Sequence, residues 1–296
     1  MFKQYFGEIT DNRQPGKVKH NLLEIIVMTI CAVTVRRSGE KDRQPIHMVS
    51  AWAANQQMVL GQLATDKKSN EITAVQELLE MLDIGGCIIT ADAMNCRKAI
   101  VKKIVEKGAD YALSLKGNQS ILCAEVREYF EAAEKQPKEY HDVTHIKTTD
   151  QGHGRIETRK YYITTNVDWY ENKQDWKNLR SFGMVVSKVE QRGKTTTDTR
   201  YFISSLEDIN VLADAVRKHW GIENSLHWCL DMTFHKDYSR IRKDHSAENM
   251  AVVRHIALNI LKSYPEKISL ARKHRRCSCD DIFFAKVMCS VRAFHA

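Results

Sequence analysis

No stretch of the chain approaches the roughly 18–20 consecutive apolar residues of a membrane-spanning helix. The longest apolar segment, Ile25 to Val35, is short and is broken by Thr29 and Thr34. The opening residues, Met1-Phe2-Lys3-Gln4-Tyr5, lack an apolar core followed by a small-residue cleavage site, so no secretory leader is expected there. The eight cysteines (31, 87, 96, 123, 229, 277, 279 and 289) are scattered, several inside apolar patterns. That distribution fits small core residues in a reducing cytoplasm and speaks against a disulfide framework. Only His274, Cys277 and Cys279 hint at a metal, and Cys-x-Cys without a second pair is a poor zinc pattern. Internal repeats and low-complexity tracts are also missing. Acidic residues fall short of basic ones, 37 against 45, which leaves a net charge of +8. A basic chain without a membrane segment points to a polyanionic partner, most often nucleic acid.

At 296 residues and 43% hydrophobic, the chain can bury a sizeable core. Its most informative stretch is Cys87-Ile88-Ile89-Thr90-Ala91-Asp92-Ala93-Met94. A short run rich in β-branched residues ends on a carboxylate, and a helical pattern follows from Arg97. The pattern predicts a buried strand delivering Asp92 at its C-terminal lip, where ligands gather in open α/β sheets. The bland alternative is an aspartate that caps the next helix.

Around this stretch, Leu22 to Val33 reads as a helix too densely apolar for a surface position. Thr34 to Pro45 is polar and charged. Ile46–Ala54 and Met58–Thr65 flank Asn55-Gln56-Gln57 as an antiparallel hairpin. Glu71–Leu82 is an amphipathic helix with a stripe of Ile72, Val75, Leu78, Leu79 and Leu82. Ala99–Lys107 is a second helix, stopped by Gly108, and Asp110–Leu115 is a strand leading into Lys116-Gly117-Asn118-Gln119. Residues 120–145 read as a charged helix with a polar tail. Residues 155–165 and 180–204 are strand-like, with a turn at Arg192-Gly193-Lys194, which makes a β-rich insertion before the last helical section. A long helix over about 207–232 carries the stripe Ile209, Leu212, Val216, Trp220, Glu223, His227, Leu230. Glu223 therefore falls on the apolar face, where a lone carboxylate is costly unless a cation or metal meets it. The C-terminal region is strongly basic, with Arg240, Arg242, Lys243, Lys267, Arg272, Lys273, Arg275 and Arg276, a run that reads equally as a solvated face or as one that follows a phosphate backbone. Hairpin, helix, strand, helix, strand is the order of a mixed α/β sheet, close to the ribonuclease-H arrangement but without its first strand.

Two carboxylates from different elements of such a sheet suggest two-metal phosphodiester chemistry, which normally needs three acids. Several motifs, in order along nearly the whole chain, resemble the H-repeat-associated DDE transposases of the ISAs-type insertion-sequence group. They are Asp66-Lys67-Lys68-Ser69-Asn70-Glu71-Ile72-Thr73-Ala74, Ile88 to Cys96, Leu115 to Gln119, His153 to Arg159, His219-Trp220-Gly221-Ile222-Glu223-Asn224 and Ser239-Arg240-Ile241-Arg242; Asn12 to Lys17 resembles the N-terminal segment. The resemblance implies a ribonuclease-H-like core and cutting and joining of double-stranded DNA, at element ends and target, with Mg²⁺ or Mn²⁺. It puts Asp92 on the second acid and Glu223 on the third. A tyrosine, arginine and lysine around the glutamate of related groups correspond here to Val216, His219 and Leu230, so that signature is not carried over. Asn95 stands where a glycine is expected.

The first acid departs from the pattern. Thr34-Val35-Arg36 fits the end of the strand that should carry it, and the aspartate's place falls on Cys31. A segment lost between Val33 and Thr34 accounts for this, and it would have held the first core strand. A thiol cannot replace a bridging hard-oxygen ligand. Asp42 and Glu40 both lie in the charged loop. The loss would also deprive the Ile46–Ala54 and Asp92 strands of ladder partners.

The expected organisation is an N-terminal helical remnant (1–33), the first part of the core (34–119), a helix plus β-rich insertion (120–205), core-completing helices with the third acid (206–262) and a basic tail (263–296). The functional expectation is an insertion-sequence transposase, cytoplasmic, with a homo-oligomer among its partners, catalytically defective in this copy. The alternative is a non-enzymatic DNA-binding remnant that modulates an intact relative. Lys116, Arg155, Arg159, Arg240 and Arg242 are the candidate DNA contacts.

Overall fold

The computed structural model describes residues 47–65, 71–152, 154–235, 239 and 245–290. The expected N-terminal helix, the charged stretch to Pro45, Arg240 and Arg242 lie outside the described residues. The chain divides into two compact units, one of residues 69–220 and one drawn from residues up to 68 and from 221 onward.

The 69–220 unit begins with α1 (Glu71–Met81), which buries Leu78 and Leu79 of the expected stripe. Strand β3 (Ile88–Ala91) follows, then α2 (Lys98–Glu106) and β4 (Asp110–Leu115). Helix α2 forms because Ile100, Val101 and Ile104 recur on one face, all fully buried, while Lys102 and Glu106 pair one turn apart outside. It stops at Gly108, whose φ of +72° suits glycine and closes the helix end. The helix carries the chain from β3 back to a parallel β4, with Thr90 opposite Ala112. Helix α3 (Ser120–Lys135) buries Leu122, Val126 and Phe130. Strands β5 (Val143–Gly152), β6 (Arg155–Thr164), β7 (Ser181–Gln191) and β8 (Lys194–Ser204) complete a six-stranded sheet in the order β3-β4-β8-β7-β6-β5.

This topology puts the β-rich stretch in the same sheet as the Asp92 strand, because β8 pairs antiparallel with β4. Strand β5 falls where a polar helix tail was expected. All but Val143 and Ile146 of its ten residues are exposed, so it lacks the apolar alternation that marks a strand. One face of the sheet carries Tyr111, Leu113, Phe182, Met184 and Ile203 against α1, α2 and α3. The other carries Tyr161, Ile163, Val185 and Phe202 against α4 (Ile209–Ile222), through Leu212, Ala213 and Val216. Gly183 of β7 lets α4 come close, since a Cβ there would lie 2.8 Å from Leu212 Cδ2.

The second unit holds the expected hairpin, β1 (His47–Ala53) and β2 (Met58–Thr65), as a two-stranded sheet of its own. The expectation that it joins the sheet of the Asp92 strand is not met among the described residues. The amide of Asn259 takes the place of a strand neighbour, accepting from Val59 N at 3.0 Å and donating to Val59 O at 2.9 Å. Asn259 belongs to α6 (Ser246–Ser263). The helix expected over about 207–232 starts at Ile209, and α4 gives way to a π-helical turn, Glu223–His227, before α5 (Trp228–Met232). The wider turn interrupts the regular stripe: Leu226, Cys229 and Leu230 are buried, and Trp220, ahead of the turn, is exposed. Lys262 donates at 2.7 Å to Ser225 O, a carbonyl within the π turn.

The basic C-terminal stretch is helical, with α7 (Leu270–Cys277) and α8 (Asp281–Cys289). Their Cys277, Phe283 and Val287 join a core with Leu226, Leu258 and Leu261. Lys273 of this basic run is neither solvated nor free to follow a phosphate backbone: it is buried and donates to the carbonyls of Leu261 and Tyr264 at the end of α6. No helix among the described residues is long and apolar enough to cross a membrane.

Candidate nucleic-acid and metal site

Asp92 follows β3 directly, with extended backbone (φ −65°, ψ 161°), and opens a short 3-10 turn over Ala93–Asn95. Its side chain accepts no capping bond from that turn, and the next helix is preceded by Arg97. The capping alternative therefore fails: the carboxylate is not consumed by local structure. It stands 79% exposed at the lip of the sheet.

The backbone after Asp92 is held from β4. Asn118 donates to Ala93 O at 2.5 Å and Gln119 donates to Cys96 O at 3.1 Å. The motif Leu115 to Gln119 thus has a physical role: two side-chain amides one turn beyond β4 fix the loop beyond its parallel neighbour. Lys116, between β4 and these two residues in the chain, is exposed.

The other side is held by α4. His219 lies on the same stripe as Leu212 and Val216, which anchor the helix on the sheet. Its Nε2 lies 3.5 Å from Asp92 Oδ1 and its Nδ1 is 3.1 Å from Thr90 Oγ1. The hydrogen bond from His219 holds the Asp92 carboxyl below the usual aspartate range, against the opposing effect of partial burial. The charges of His219, Lys116 and Arg200 add to that depression. Arg200 of β8 stacks 3.5 Å over the Trp220 ring and donates at 2.6 Å to Asp198. An ionised carboxylate, solvent-facing and ringed by cations, is a hard oxygen donor beside groups able to meet phosphate. It supplies one of the several oxygen ligands that a divalent cation needs.

Glu223 is the first residue of the π-helical turn that continues α4, and its side chain lies outside the described residues. Among the described residues no group of three His, Cys, Asp or Glu side chains converges to hold a metal.

The arginines of β6 do not behave alike. Arg155 is half exposed and donates at 2.6 Å to Glu157. Arg159 is buried, pairs with Glu157 and lies 2.8 Å from Asp150, which also meets Arg217 of α4 at 2.9 Å. Arg159 therefore reads as a structural cation under α4, its charge met by the carboxylates of Glu157 and Asp150. Thr90, Arg200 and His219 were not picked out from the sequence as neighbours of Asp92. One signal was available, since Thr90 and Asp92 are two residues apart and share a face.

The fold and this lip define a class. A Transposase DDE domain family matches residues 32–260, and the chain belongs to that family. Among its relatives, it is 39% identical over 271 residues to the "H repeat-associated putative transposase YhhI" of Escherichia coli (strain K12), covering 88% of this chain and 71% of that protein. It is 36% identical over 280 residues to the "Putative transposase YncI" of Escherichia coli O157:H7, covering 92% of this chain and 71% of that one. With the "H repeat-associated putative transposase YbfD" of Escherichia coli (strain K12) it shares 47% identity over 131 residues, 43% of this chain and 50% of YbfD.

Proposed function

We propose that this chain is an insertion-sequence transposase copy that binds double-stranded DNA but does not cut it. Asp92 and Glu223 are its two remaining metal-binding acids, and the first acid is missing. The observation that carries the reading is the place of β3. It is the outermost described strand of its sheet and ends on a carboxylate that caps nothing, while the hairpin makes a sheet of its own. A ribonuclease-H-like core has a strand there, and the resemblance puts the first acid on it. Loss of that strand leaves an arrangement of this kind.

In this reading Asp92 offers an ionised oxygen toward Mg²⁺ or Mn²⁺, and Glu223 enters through the resemblance alone. A bound divalent ion would polarise a phosphodiester oxygen and favour an attacking hydroxide. Lys116 and Arg200 hold the DNA backbone beside Asp92, and the net charge of +8 draws DNA in. Arg155, Arg240 and Arg242 remain candidate contacts.

The test uses supercoiled plasmid with Mg²⁺ or Mn²⁺. Retention of DNA that falls with salt, without nicking, is the expected result. Grafting the corresponding segment of an intact relative between Val33 and Thr34 should then restore nicking. Nicking by the unaltered chain that disappears in Asp92→Ala would overturn the defect.

A further inference from the structure

We propose that His219 is a positioning residue for Asp92, a strut that ties the end of β3 to α4 and sets the direction of the carboxylate. The inference rests on the reading of Asp92 as a metal ligand and adds a residue to that site.

The geometry has three parts. First, His219 touches two groups of one short segment, Thr90 Oγ1 at 3.1 Å and Asp92 Oδ1 at 3.5 Å, one from each ring nitrogen. A ring hydrogen-bonded through Nδ1 to Thr90, with Nε2 facing the Asp92 carboxylate, has a preferred orientation. Second, the ring's own base is fixed. Leu212 and Val216 are buried beneath α4, and Arg217 pins the helix to β5 through Asp150. Third, Asp92 has no other side-chain tether in its own turn and is 79% exposed, so without the ring its carboxylate is free to rotate.

The hydrogen positions follow from the partners. An ionised carboxylate only accepts, so Nε2 carries the proton toward Asp92. In the neutral ring Nδ1 then accepts from the Thr90 hydroxyl. This arrangement engages Oδ1 and leaves Oδ2 as the oxygen available to a cation. Outer-shell partners of this kind typically change metal affinity about 10–100-fold when removed.

Two measurements on the full chain test the proposal. In the first, free Mn²⁺ is followed by its electron paramagnetic resonance signal. Asp92→Ala should abolish uptake, His219→Ala should weaken it about tenfold or more, and His219→Gln, which keeps a donor near the Nε2 position, should recover most of the loss. Loss of uptake in Asp92→Ala with His219→Ala within about twofold of the unaltered chain would overturn the strut and leave the metal reading standing. Unchanged uptake in Asp92→Ala would instead remove the metal reading. The second measurement decides the strut without metal. Long-range proton–nitrogen correlations of the neutral His219 ring should show a single Nε2–H tautomer, giving way to a mixture in Asp92→Ala, which removes the acceptor. A ring averaged between tautomers in the unaltered chain overturns the proposal.

Discussion

Replacing Arg159 with methionine separates a structural cation from a DNA contact. The side chains of Arg159 and Glu157 are only 11% and 12% exposed, so the pair sits largely out of water. Removing the guanidinium strands Glu157 beside Arg155, which is half exposed and still within 2.6 Å. Breaking a buried pair by deleting one partner costs about 3–5 kcal/mol. The retained Arg155 places this case near the low end, about 3 kcal/mol. For a unit of this size that lowers the melting temperature by roughly 6–12 °C. Asp150 loses less, because it is 54% exposed and keeps Arg217. The double variant Arg159→Met with Glu157→Met should recover much of the loss, since no buried charge is then left alone. Arg155→Ala, at an exposed position, should cost under about 1 kcal/mol. Thermal melts followed by circular dichroism give the stabilities, and fluorescence anisotropy against salt gives the DNA contacts. The reasoning is refuted if Arg159→Met melts with the unaltered protein while the slope of log affinity against log salt falls by about 0.9, the loss of one phosphate contact.

Three further expectations use other parts of the molecule. Gly183→Ala puts a Cβ 2.8 Å from Leu212 Cδ2, where Leu212 is fully buried, and should cost about 1–3 kcal/mol in a urea titration; an unchanged midpoint would show that α4 sits further from the sheet. Lys273→Met leaves the carbonyls of Leu261 and Tyr264 without their donor and should lower stability by about 1–3 kcal/mol, with DNA affinity at fixed salt unchanged; weakened DNA binding would return Lys273 to the phosphate-facing set. Burial pushes the Cys96 thiol up to about 12, so Cys96 should resist alkylation until the chain unfolds, while exposed Cys87, Cys279 and Cys289 react in the native protein; peptide mapping after a short iodoacetamide pulse checks this.

Patterns with a strong period were legible. Helices α1 and α2 and strand β4 lie within a residue or so of where apolar spacing put them, because each has one face to bury and a clear stop. Strand β5 was not legible: its side chains are nearly all exposed, and it is a strand only because β6 offers a ladder. The π turn at Glu223–His227 was hidden for a different reason. An apolar stripe can be written at regular helical spacing through Trp220 and His227, and only packing reveals that Leu226 and Cys229 are the buried residues. Arg159 looked like any other β-strand arginine, and its partner Glu157 was in plain view two residues away. What could not be read was that both would lie under α4. Asp92 could be singled out from the strand that ends on it, yet the sequence left its capping role open, and only backbone geometry closed that question.

The supports of Asp92 all come from within residues 69–220. Strand β4 supplies the chain that leads to Asn118 and Gln119, α4 supplies His219, and β8 supplies Arg200. Under the proposed function, a lesion at the Val33–Thr34 junction would remove the first acid and leave these supports of Asp92 in place. Cutting chemistry needs three carboxylates at once and fails with any one of them, whereas backbone binding is a sum of separate cationic contacts and declines only in proportion. Under the proposed function, the same deletion would be fatal to one property and mild for the other.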